Sequence, residues 1–212
     1  MDRYDSQSRY CYPGTNVLEN KFFLEDQEKL NKAERLYTGK RVSELYDNPI
    51  RGNFNLKHLQ KIHKYIFQDV YRFAGEIRDE QIRKDATTFA HPQYIESYSK
   101  QQFQLLKNEK HLKGLNVDDF SSRASYYMGE INMIHPFREG NGRAQREFIR
   151  TLAVKNGYEL DWNRVDPERL LKASIRSVID PKDLADVIRD SIINEQPDRF
   201  IMKLFEDRGL ER

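Results

Sequence analysis

Apolar residues recur along most of this chain at three- and four-residue intervals, the repeat of one face of an α-helix. Two stretches carry the pattern most clearly. Leu56, Leu59, Ile62, Ile66 and Val70 follow Asn55, which reads as an N-cap, and Ala74-Gly75 reads as the stop. Phe120, Ala124, Tyr127, Met128, Ile131 and Ile134 form the second stretch. Pro136 disfavours helix at the residue before it, so this helix is expected to end at about His135. Another helix over Arg143–Val154 should bury Ala144, Phe148, Ile149 and Leu152, with Asn156-Gly157 ending it.

Weaker signals fill the rest of the chain. Residues 1–16 are polar and tyrosine-rich, with Pro13-Gly14 as a turn, and read as an arm laid on the domain. Thr15 or Asn16 should cap a helix carrying Val17, Leu18, Phe22, Leu30, Ala33 and Leu36; a short helical piece from Arg41 to Tyr46 then stops at Asn48-Pro49. Pro92 suits the first turn of a helix reaching about Lys107, with Ile95, Tyr98, Phe103 and Leu106 apolar. Asp166-Pro167 and Asp180-Pro181 each place a cap before a proline at the first helical position. The first of these leads Leu170, Leu171, Ser174, Ile175 and Val178; the second turns Leu184, Val187, Ile188 and Ile192 inward. Gln196-Pro197-Asp198 breaks the pattern before a tail, 196–212, whose Phe200, Ile201, Leu204 and Phe205 should pack on the domain or lead towards further domains.

Residues 77–90 differ. Ile77 and Ile82 on one arm and Thr87, Thr88 and Phe89 on the other flank the charged run Arg83-Lys84-Asp85-Ala86, which reads as a small β-hairpin. The expected fold is mainly α with one hairpin. With 38% hydrophobic and 33% charged residues, the 212-residue chain can bury one ordinary core beneath a charged surface. A net charge of +2 offers no case for a nucleic-acid or membrane surface. The single cysteine, Cys11, leaves no internal disulfide framework or cysteine-rich metal site. No apolar run is long enough to suggest a membrane span, and the opening residues do not read as a signal peptide, so a soluble protein of a reducing compartment is expected. His58 and His63, five apart in one helix, are poorly spaced for a shared metal and read as structural.

Chemistry concentrates where the two best helices meet, in Ile134-His135-Pro136-Phe137-Arg138-Glu139-Gly140-Asn141-Gly142-Arg143-Ala144-Gln145-Arg146. A helix start offers unpaired N–H groups and a positive dipole end, and glycines let the backbone approach an anion closely. Arg143 and Arg146 project from one side of the first turns and can clamp phosphate oxygens. Glu139 is a hard ligand suited to sharing Mg²⁺ with those phosphates. His135 is the proton acceptor near neutral pH.

The run His135-Pro136-Phe137-x-Glu139-Gly140-Asn141-Gly142-Arg143-x-x-Arg146 matches the signature of the Fic family at every defining position. The resemblance covers roughly residues 17–195, although only the 135–146 motif is specific. It implies a Fic-type helical domain that transfers AMP from ATP to a Ser, Thr or Tyr hydroxyl of a target protein, releasing pyrophosphate. His135 would be the general base and Glu139 the Mg²⁺ ligand. Gly140, Asn141 and Gly142 would form the anion hole, with Arg143 and Arg146 on the β- and γ-phosphates. The hairpin would be a flap to which the target adds a strand, with Ile82 and Lys84 facing it. In kinase-like relatives the second glycine and first arginine of the motif are altered, and a silent adaptor would lack the histidine or arginines; this chain keeps them all.

Many Fic proteins are held off by a helix bearing [Ser/Thr]-x-x-x-Glu-[Gly/Asn], whose glutamate pairs with the second motif arginine. Glu19 lies in a matching stretch, Thr15–Asn20, and Glu195 in one that departs at the last position. So short a pattern arises easily by chance. The chain resembles Fic domains of bacterial effectors injected by type IV secretion and their conjugation-linked relatives. An antitoxin-like separate inhibitor is therefore expected over an internal one. Synthesis in a bacterial cytoplasm, with injection into a host cell possible for such relatives, goes with that resemblance.

Overall fold

The computed structural model describes residues 8–84, 87–177 and 179–208. Asp85 and Ala86 of the expected hairpin turn, Val178 of the helix expected after Asp166-Pro167, and the outer ends of the arm and tail lie outside the described residues. Those described form eight α-helices and one two-stranded antiparallel hairpin. The helices are α1 (Gln27–Asp47), α2 (Leu56–Phe67), α3 (Ile95–Asn108), α4 (Val117–Ile134), α5 (Asn141–Lys155), α6 (Pro167–Arg176), α7 (Lys182–Ser191) and α8 (Arg199–Arg208). The hairpin pairs β1 (Arg83–Lys84) with β2 (Thr87–Thr88), Arg83 opposite Thr88 and Lys84 opposite Thr87. A mainly α fold with a small hairpin is what the apolar periodicity predicts.

Helix α4 is the axis. Phe120, Ala124, Tyr127, Ile131 and Ile134 are all at most 1% exposed, and α3, α5, α6 and α7 pack around it. Helix α2 lies across α5 and α1. Burying so continuous an apolar stripe is the main force holding the α4–α5 corner in place. Asn55 and Asn116 cap α2 and α4 through their side-chain oxygens, and Asp166 caps α6 ahead of Pro167. Helix α7 begins one residue later than its sequence implies: Pro181 is the cap residue, and Asp180 accepts from the N–H of Lys182 at 2.9 Å. Helix α8 returns to α5, where Asp198 N–H donates to the Gly157 carbonyl at 2.8 Å.

The first helix departs from expectation. Residues 15–26 are not helical, and the two pieces expected over 15–36 and 41–46 are replaced by the single helix α1. The cause is Asn20. Its amide donates to the Leu18 and Leu24 carbonyls and its oxygen accepts from the N–H groups of Phe22 and Leu24, which folds the chain into a loop. Phe23 sits at φ 56, and Asp26, not Thr15 or Asn16, supplies the cap. The apolar pattern misled because Leu36 is 71% exposed and Val17 and Leu18 are buried from an extended segment in which Leu18 bridges to Cys11. Helix α2 also stops at Phe67, short of Ala74-Gly75; buried Val70 follows in a turn.

Candidate active site

The end of α4 fixes His135. This residue adopts a left-handed conformation, φ 46 and ψ 61, as the C-cap, at a cost on the order of 1 kcal/mol for a side chain with a Cβ. What holds it there is Arg78, a guanidinium only 2% exposed. Its Nε donates to the His135 carbonyl at 2.8 Å and Nη2 to the Ile134 carbonyl at 3.3 Å, so a cation closes the negative end of α4. The same group donates to the backbone carbonyls of Glu80 at 2.6 Å and Ala90 at 2.5 Å, the two roots of the hairpin. One buried side chain thus ties the flap to the turn that carries His135. The sequence marks Arg78 only by its place after the Gly75 turn.

The imidazole stacks on Phe89, with ring centroids 3.7 Å apart. Its Nδ1 lies 3.1 Å from the Asn132 carbonyl, which can only accept, so Nδ1 carries the proton and Nε2 keeps its lone pair. Burial pushes the imidazole down to about 4; the Asn132 carbonyl raises it, Arg78 and Lys84 lower it further, and Glu139 works the other way. His135 is therefore a neutral base at physiological pH.

Past Pro136 the chain forms a tight loop. The Asn141 side chain turns back on it, accepting from Phe137 N–H at 2.9 Å and donating to the Phe137 carbonyl at 2.7 Å. Its amide therefore braces the loop instead of pointing outward. Gly140 caps α5 at φ 78, and a Cβ there would stand 2.1 Å from the Phe67 ring. Asn141 and Gly142 occupy the first helical positions, whose N–H groups have no intrahelical acceptor. His63 is more than a core filler. Its Nδ1 accepts from Gly75 N–H and its Nε2 donates to the Glu139 carbonyl, both at 2.8 Å, while its ring stacks on Phe67 and Phe137. That histidine locks the Glu139–Gly140 peptide, a role its five-residue spacing from His58 does not reveal.

The two arginines differ. Arg146 lies beside Gly142, whose Cβ would meet its Nη1 at 3.4 Å. Burial, then Arg143, lowers its pKa, and it has no ion pair among the described residues. Such a cation favours an incoming anion. Arg143 instead donates to Glu34 at 2.7 Å and to Thr38 at 3.2 Å, lies 3.6 Å from Glu139, and sits over the Phe67 ring at 4.6 Å. Glu34, which no motif marks, is thus part of the site. A cleft of about 700 Å³ opens here, lined by Glu34, Thr38, Tyr71, Glu139 and Arg143, with Cys11 from the N-terminal arm and Leu18 just after it.

Glu139 accepts from Gly140 N–H at 2.9 Å and is partly exposed. Among the described residues no three His, Cys, Asp or Glu side chains gather as a metal cage. One accessible carboxylate beside an anion-receptive helix start fits Mg²⁺, which binds through one or two carboxylates plus phosphate oxygens. Neither candidate inhibitory glutamate pairs with Arg146: Glu19 is exposed, and Glu195 is engaged by Arg189. On the flap, Lys84 is exposed, whereas Ile82 is 4% exposed and points into the body, so Ile82 anchors the hairpin and presents no side chain outward.

A neutral histidine base at one lip, a glycine-opened helix start and paired arginines define a helical domain built to hold a polyphosphate against a proton acceptor. The chain belongs to the Fic/DOC family, whose family model matches residues 53–153. Protein adenylyltransferase VbhT of Bartonella schoenbuchensis is 46% identical over 185 residues, covering 87% of this chain but 39% of that protein. Probable protein adenylyltransferase y4lH of Sinorhizobium fredii is 39% identical over 179 residues, 84% of this chain and 92% of its own length. Among solved structures, the BepC effector of Bartonella tribocorum with bound AMPPNP superposes with a TM-score of 0.82 at 26% identity, over 88% of this chain and 97% of that one.

Proposed function

We propose that this chain transfers AMP from ATP to a hydroxyl side chain of a target protein. The observation that carries the proposal is the pairing of His135, neutral with a free Nε2, and a glycine-opened helix start flanked by Arg143 and Arg146. Nε2 takes the hydroxyl proton as that oxygen attacks the α-phosphorus. The new phosphoester bond forms while the bond from the α-phosphorus to its β-bridging oxygen breaks, and pyrophosphate leaves against the arginines. Glu139 would hold Mg²⁺, which neutralises charge on the phosphates when bound. Binding of AMPPNP by BepC and of ADP by a Bartonella quintana effector Fic domain, 25% identical with a TM-score of 0.85, supports ATP as the donor.

The target is a protein whose extended backbone adds to the flap edge, with Lys84 as the exposed side chain beside it. Arg146 has no acid partner among the described residues, which favours regulation by a separate small, antitoxin-like protein that brings a glutamate to it. His135→Ala should abolish transfer and leave ATP affinity within about twofold by titration calorimetry, because the base acts on the hydroxyl and not on the phosphates. Transfer by this variant at the native rate would remove His135 from the chemistry.

A further inference from the structure

We propose that Glu34 is a positioning residue for the phosphate clamp: its carboxylate, fixed from behind by Tyr71, holds the Arg143 guanidinium where nucleotide phosphates meet it. The proposal rests on the adenylyl-transfer reading for the identity of the ligand. The contact itself is a feature of the fold, made between residues 109 positions apart.

Arginine carries a long, rotamer-rich side chain, and a clamp that must be ordered at each binding event loses affinity to that ordering. Here the ordering is built in. Glu34 Oε1 accepts from Arg143 Nη2 at 2.7 Å. Thr38, one turn further along α1, accepts from Nη1 at 3.2 Å, and the Phe67 ring lies beneath the guanidinium. The carboxylate is fixed in turn, because the buried Tyr71 hydroxyl donates to its other oxygen. Burial, then the Glu34 charge, pushes Tyr71 up, so it stays a donor at any working pH. Tyr71 is itself held between Phe67 and Phe73.

Two readings compete with this one. A purely structural ion pair would be sealed in the core, as Arg150 and Glu147 are, with side chains 4% and 3% exposed. Arg143 and Glu34 are 25% and 14% exposed and line the cleft with Glu139. An inhibitory carboxylate, by contrast, must leave when phosphate arrives. Glu34 is tied on its second oxygen to a buried tyrosine and makes no hydrogen bond or ion pair with Arg146. It is braced to stay.

The test is calorimetric titration of the purified chain with Mg²⁺ and either ATP or AMP, for the wild type, Glu34→Ala and Glu34→Gln. Arg143 is assigned to phosphates beyond the first, so Glu34→Ala should weaken ATP about tenfold and leave AMP within about twofold. Glu34→Gln keeps shape and an acceptor oxygen but not charge, and should lose about threefold for ATP alone. A general loosening of the loop would weaken both nucleotides together, and that result would overturn the proposal. So would native or tighter ATP binding by both variants. If Glu34→Ala loses its cooperative melt, the isosteric Gln variant decides by the same ATP-to-AMP ratio. A wild type that binds ATP no better than AMP would defeat the adenylyl-transfer reading first, which a selective wild type with indifferent variants would not do.

Discussion

His135 shows how much one residue depends on its surroundings. A histidine in water titrates near 6.5, where a base would be half lost at mildly acid pH. Here burial dominates and brings the imidazole down to about 4. The charged groups facing it are Arg78, Lys84 and Glu139. Lowering the pKa of a base widens the range in which it is ready, so activity should persist as pH falls below 6.5 and fail only as pH approaches the folded value. The kcat/KM for transfer is expected to stay flat from neutral pH to about 5 and to fall with a midpoint near 4. A midpoint near 6.5 would mean that the ring is solvated in the working enzyme. The base, the carboxylate and both arginines were legible because they lie within one short run of sequence. Arg78, His63 and Glu34 were not, since their contacts span 57, 76 and 109 positions and leave no local period.

At the level of elements, the site is the corner between α4 and α5, and Gly140 decides whether that corner can close. Its φ of 78 is strained for any side chain, and a Cβ would run into the Phe67 ring. Gly140→Ala should destabilise the domain on the order of 2–4 kcal/mol and abolish measurable ATP binding, read by urea unfolding and calorimetry. Gly142→Ala is the control. Its Cβ meets only Arg146 at ordinary contact distance, so stability should hold within about 1 kcal/mol. Equal losses in the two variants would contradict the geometry assigned to the loop. Helices α4, α5 and α6 and the start of α2 could be placed from caps and spacing, whereas the end of α2 came earlier than Ala74-Gly75 implied. The region before α1 could not, because the four hydrogen bonds of Asn20 outweigh a weak apolar repeat. The flap was legible as a hairpin, whereas the inward turn of Ile82 depends on packing that alternation over so short a strand cannot specify.

Over the whole molecule, parts distant in sequence converge behind the motif loop. Arg138, 1% exposed, reaches Ser8 and Cys11 of the N-terminal arm and lies 3.8 Å from Glu80 at the flap root. Helix α1 contributes Glu34 and Thr38, and α2 contributes His63 and Phe67. These contacts brace the motif loop from behind, which suits a transferase that positions reactants and does little covalent chemistry itself. The central claim is that the group moved is AMP. The direct measurement is to incubate the purified chain and candidate target proteins with Mg²⁺ and ATP labelled at either the α- or the γ-phosphate. Label retained on protein from α-labelled ATP alone, with pyrophosphate released and both lost in His135→Ala, is the expected result. Label retained from γ-labelled ATP would mean phosphorylation and would contradict the account.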